Sequence, residues 1–156
     1  AQGQPVGAEA RSWQPLLSLG TRLTSLSLRA CYVVALPAGL SSLSRLQVLD
    51  LSGNHRLFWG DHRGTALQPL VGLGALTRLR LEFCDLRCIP QQLKLLPALR
   101  DLSLIYNKSL GDQGEQLWQQ LRALSGLRHV NLTGCLEGDV SSATSLTEHG
   151  VLVSMR

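Results

Sequence analysis

The chain has 156 residues, of which 35 are leucine and only seven are aromatic, and it carries a formal net charge of +4. That length fits one domain with a buried core, and a core so dominated by one residue type implies a packing layer that repeats. No apolar run approaches the ~18 residues that would span a bilayer, so membrane insertion is not expected; the 13 Arg and 2 Lys are scattered rather than massed, which disfavours a nucleic-acid surface.

Residues 1–12, rich in Gly, Gln, Pro and Ala, read as a flexible N-terminal segment with neither a signal-peptide nor a helix pattern. Residues 13–156 read as one repeating unit array. Trp13, Leu16 and Leu19 have the spacing of the convex half of a unit whose strand is missing, either an N-terminal cap or a cut through a longer array. Five segments then align on L-x-x-[LV]-x-L-x-x-[NC]: Leu23 to Cys31, Leu46 to Asn54, Leu76 to Cys84, Leu99 to Asn107 and Leu127 to Cys135. Their starts lie 23, 30, 23 and 28 residues apart, so short and long units alternate.

Within each motif the last two apolar residues stand two apart and point to the same side of a short strand. The Asn or Cys that follows marks an inward turn, where an Asn amide can pair backbone groups otherwise buried unsatisfied. In the short units Leu36-Pro37 and Ile89-Pro90 predict an extended or single-turn return. In the last long unit, residues 113–125 have helical leucine spacing and good helix formers. Val151 to Val153 predicts a degenerate sixth strand without leading leucines.

This pattern resembles the leucine-rich-repeat family over about residues 13 to 136. The alternating units, Cys turns and Leu-Pro returns are similar to those of its cytosolic members. The resemblance implies an α/β solenoid with a curved parallel sheet on the concave side and helices or extended returns on the convex side.

Cys31, Cys84 and Cys135 recur two units apart. That places them on the order of 10 Å from one another, too far for a disulfide. Cys84 and Cys88 are expected as free thiols, although a strained local bridge is the alternative. Free thiols, and the lack of the Cys-rich caps that secreted members of the family carry, favour a cytoplasmic or other intracellular compartment. Against this, Asn107-Lys-Ser109 and Asn131-Leu-Thr133 match the N-glycosylation pattern, the first at an expected buried turn. His55, Asp61 and His62 share the longest loop, but their spacing fits no standard ligand pattern, and Cys84-x3-Cys88 lacks a second pair. Neither a metal nor a cofactor is expected, and no nucleophile, base and orienting group stand in recognisable relation.

Stacked strands set equivalent residues side by side, so the alignment maps the concave face. One column reads Ser25, Val48, Arg78, Asp101 and His129; the next Ser27, Asp50, Arg80, Ser103 and Asn131; the third Arg29, Ser52, Glu82, Ile105 and Thr133. Asp50 is expected beside Arg80 and Arg78 beside Asp101, as lateral charge pairs. Phe83, Ile105 and Tyr106 are expected as an exposed apolar cluster, with Phe58 and Trp59 on the same rim one unit away. The bland alternative has Phe58 and Trp59 covering the core edge and Phe83 packed between turns. Aromatics and Arg concentrate binding energy, so Phe58, Trp59, Arg78, Arg80, Phe83, Asp101, Ile105 and Tyr106 are the expected partner-binding residues. The expected function is a non-catalytic module that binds another protein within a larger intracellular assembly. An extracellular recognition ectodomain and an enzyme with an unrecognised site are the alternatives.

Overall fold

The computed structural model describes residues 8–59, 65–136 and 143–155. Among these, β1 (Ser25–Ser27), β2 (Val48–Asp50), β3 (Arg78–Arg80), β4 (Asp101–Ser103), β5 (His129–Asn131) and β6 (Leu152–Ser154) form one parallel sheet in chain order. The register sets Leu26, Leu49, Leu79, Leu102, Val130 and Val153 in one row. Each strand is three residues long, with its middle side chain turned to the core and its outer two to the concave surface. A second inward row, Leu51, Leu81, Leu104 and Leu132, is buried behind it.

The convex side follows the spacing of the connecting segments. After Pro37 and Pro90 the short units make single tight helical turns, Ala38–Ser42 and Gln91–Leu95. The longer units hold the turn Gln68–Leu70 and a helix, α2 (Glu115–Arg122), whose Leu117, Trp118 and Leu121 are buried. A third helix, α3 (Thr144–Glu148), precedes β6. At the front, α1 spans Ala8–Leu17 and brings Trp13 and Leu16 against the core. The flexible segment expected over 1–12 is therefore corrected from Ala8 onward: Ala8, Glu9, Ala10 and Arg11 are good helix formers, and the helix covers the first unit. Residues 1–7 lie outside the described residues.

The alternation of Asn and Cys at the turns has a structural reason. Asn107 Nδ2 donates to the carbonyls of Leu81 and Leu104, each at 2.7 Å, and its Oδ1 accepts from the Cys84 and Leu86 amides at 3.0 and 3.1 Å. Asn54 repeats this one pair earlier, donating to Leu28 and Leu51 and accepting from Val33. Each Asn thus ties its own turn to that of the preceding Cys unit. The Cys84 and Cys135 thiols face the Leu51 and Leu104 carbonyls at 3.5 and 2.9 Å; at Cys84 a weak thiol donor suffices because Asn107 of the next unit already satisfies the turn amides. Cys31 departs from the expected inward position. It is exposed, because no described strand precedes β1 to offer it a carbonyl, and its thiol turns to the Arg29 carbonyl.

All four cysteines are free thiols. Burial pushes the Cys84 thiol up to about 11 and raises Cys135 as well. Alkylation of the native chain is expected to label Cys31 and Cys88 and to spare Cys84 and Cys135 until unfolding, as peptide mass mapping would read. The folded thiol of Cys84 ionises later than the unfolded one, whose ordinary value is 9.0. The stability it contributes is therefore complete below about pH 9 and is lost as pH rises toward 11. Denaturation of wild type and Cys84→Ala across that range should show a steeper alkaline decline in the wild type. Parallel declines would refute this.

Candidate interaction surface

The concave face holds an open groove of about 420 Å³ across β3, β4 and β5. Strand register explains its composition, since Asp50 pairs with Arg80 and Arg78 with Asp101 as Cα partners. The charges meet at 3.9 Å for Arg80–Asp50 and 3.7 Å for Arg78–Asp101. Asp50 is held from below, its Oδ1 accepting from the Ser52 amide at 2.9 Å. Asn131 does the same with the Thr133 amide at 3.0 Å, so both side chains are fixed by their own strand end.

Two links were not legible in the alignment. Glu82 reaches two units back to Arg29 at 2.9 Å and forward to the Ser103 hydroxyl, also at 2.9 Å. The Glu82–Arg29 bridge passes over Ser52, whose small buried side chain accepts from the Glu82 amide; the size of that residue was the available signal. Beyond Asp101 the polar row continues to His129 Nδ1 at 3.8 Å, and His129 Nε2 stands 3.0 Å from the Ser154 hydroxyl. Ser, His and Asp are the types of a nucleophilic triad, but 3.8 Å is past hydrogen-bond distance and Asp101 is shared with Arg78. At this distance no hydrogen bond joins the Asp101 carboxylate to the ring. The alignment already set Asp101 beside His129; the further link to Ser154 was missed because β6 lacks the leucines that would have fixed its register.

Next to the third concave column, the turn position demands a left-handed backbone in every unit: φ is +51° at Ala30, +73° at Gly53, +51° at Phe83, +55° at Tyr106 and +68° at Gly134. Glycine meets this freely, whereas a side chain there costs roughly 1–2 kcal/mol. Phe83 and Tyr106 nonetheless occupy it, stacked with ring centroids 4.8 Å apart and about half exposed. The Tyr106 ring lies on the next turn, where a β-carbon built on Gly134 would stand 2.6 Å from Cδ1. Stacking of this kind returns about 0.5–1.5 kcal/mol, roughly offsetting one of the two strained residues.

The eight expected binding residues therefore divide. Arg78, Arg80, Asp101 and Ile105 line the groove, and Phe83 and Tyr106 follow at the C-terminal ends of its strands. Trp59, 80% exposed, instead lines a separate hollow with Val34, Leu36, Leu57 and Pro69, and Phe58 is half-buried against the core. His55 is exposed, while Asp61 and His62 lie outside the described residues. Asn107 is wholly buried with both amide hydrogens bonded, whereas Asn131 stands half-buried on the concave face.

No protein-family model matches the chain. It is similar to Receptor-like protein 39 of Arabidopsis thaliana, 35% identical over 98 residues, which is 63% of this chain and 10% of that protein. It is also similar to Toll-like receptor 9 of Felis catus, 38% identical over 95 residues, covering 58% of this chain and 9% of that protein. The chain spans about a tenth of the length of these relatives. Both are leucine-rich-repeat proteins. With five leucine motifs in register on one parallel sheet, the chain is itself a leucine-rich-repeat solenoid.

Proposed function

We propose that the chain is a non-catalytic recognition module that binds another protein across its concave face. The observation that carries this reading is the pair of strained, half-exposed aromatics beside a groove with exposed guanidinium groups. Aromatic and Arg side chains concentrate interface energy, and strain kept at a surface position points to use of that position. The loose His129–Asp101 spacing weighs against catalysis. The interleaved carboxylates Asp50, Glu82 and Asp101 weigh against a nucleic-acid backbone as the partner.

Four free thiols support an intracellular, reducing setting. A second reading, an extracellular recognition domain, is favoured by relatives whose names describe receptors. Among the described residues no helix is long and apolar enough to cross a membrane. The intact mass of the chain from its native host separates the two settings. A glycan on Asn131 identifies the extracellular one and would occupy the β5 end of the groove.

For the binding reading, the immobilised chain is challenged with native lysate beside two folded variants, Arg80→Glu in the groove and Lys94→Glu on the convex turn. A protein captured by wild type and Lys94→Glu, and reduced about tenfold or more by Arg80→Glu, is the expected result. Equal capture by all three would move the binding surface off the concave face.

A further inference from the structure

We infer that the groove takes an extended acidic segment of its protein partner, carboxylates over Arg78 and Arg80 and apolar side chains against Ile105 and the Phe83–Tyr106 rings. This refines the module reading above and rests on it. Three observations carry the chemistry.

The first is an asymmetry of exposure. The Arg78 and Arg80 side chains are 61% and 53% exposed, whereas the Asp50 and Glu82 side chains are 11% and 14% exposed. At Arg78 and Arg80 an approaching ligand meets guanidinium groups with the Asp50 and Glu82 carboxylates recessed beneath them. Asp101, 44% exposed, is the one carboxylate of this set that stands at the groove surface. The second is unequal commitment. Glu82 is engaged at 2.9 Å by both Arg29 and Ser103, which holds Arg29 in place. Arg78 and Arg80 stand 3.7 and 3.9 Å from their carboxylates, beyond hydrogen-bond length, so their donor forks are left for a bidentate carboxylate. The third is the neighbouring apolar ledge, built at the cost of two left-handed backbones.

The dimensions suit a peptide. From β3 to β5 is two strand spacings, about 10 Å, which an extended chain crosses in about three residues. Alternate side chains of that chain would face the sheet, so acidic and apolar residues can be read in turn. A polyphosphate backbone would satisfy the guanidinium groups but leave the apolar ledge of Ile105, Phe83 and Tyr106 unused.

The test pans a random-peptide display library on the immobilised full chain. Enriched peptides, fluorescein-labelled, are then titrated against wild type, Arg80→Gln, Arg78→Gln and the Phe83→Ala/Tyr106→Ala double variant, each checked for folding by circular dichroism. Enrichment of sequences mixing Asp or Glu with apolar residues, weakened about tenfold or more by an Arg variant and by the double variant, supports the inference. Should Arg80→Gln not fold, Arg78→Gln carries the same reading. Enrichment of neutral or basic peptides that the double variant still weakens overturns the acidic partner while leaving a concave binding module intact. Peptides unaffected by every variant overturn both. Oligothymidylate and a heparin fragment serve as non-protein anions; binding as tight as the best acidic peptide, and equally sensitive to the Arg variants, overturns the assignment to a protein segment.

Discussion

Replacing Asn107 with Ala is expected to destabilise the chain by about 3–5 kcal/mol, measured as a lowered urea midpoint at neutral pH. The side chain is fully buried and makes four hydrogen bonds to backbone groups of two adjacent turns. Alanine leaves the Cys84 and Leu86 amides unpaired and removes a donor from the Leu81 and Leu104 carbonyls, with no room for bulk water to replace it. Each stranded group costs roughly 1–3 kcal/mol, partly relieved by relaxation of the turn. Asn107→Cys separates donation from acceptance: Cys135 already places a thiol on Leu104 at 2.9 Å, but a thiol is a poor acceptor for two amides. That variant is expected to recover less than half of the loss. A change below about 1 kcal/mol for Asn107→Ala would mean that the asparagine ladder does not hold the turns together. The effect should also reach the candidate surface, because Asn107 follows Tyr106 directly and fixes the turn that presents its ring.

The contrast between what was legible and what was not follows the same ladder. Register was legible because a fixed distance between leucines leaves only one way to stack the strands, and the Asp50–Arg80 and Arg78–Asp101 neighbours follow from it. The left-handed turn was encoded too, in Gly53 and Gly134, which align with Phe83 and Tyr106. Sequence reasoning saw those aromatics as exposed but not as strained. The Glu82–Arg29 bridge was hidden because it skips a unit, and a lateral map pairs nearest neighbours only. That Trp59 lines a hollow apart from the groove was not legible because it lies past Leu57, in a stretch with no further leucine before Leu67 to fix its course. The front helix was missed because Gly and Pro in the first residues outweighed the alanines from Ala8 onward.

Leu102→Ala is the second large effect, an expected loss of about 3–4 kcal/mol, or roughly 10 °C in thermal midpoint. Leu102 is the middle residue of β4, is 1% exposed, and lies in the row between Leu79 and Val130. Its truncation opens a cavity against both neighbours, which cannot collapse without shifting three strands. Leu26, in the same row but at the front edge and 9% exposed, packs against one neighbouring strand and should cost about half as much on truncation. In a solenoid, stability is nearly a sum of unit and interface terms, so the damage is expected to stay local. Amide exchange should quicken most at Leu81, Phe83, Leu104 and Tyr106, whose N–H groups bond across the β3–β4 and β4–β5 steps, and least at Leu28 and Ala30. Equal acceleration in every strand would instead mean that the whole array opens as one cooperative unit. The two outcomes bear on function differently. If opening is local, a variant such as Leu102→Ala loses the groove between β3 and β5 while its front units stay folded, and recognition fails well below the temperature at which the chain melts.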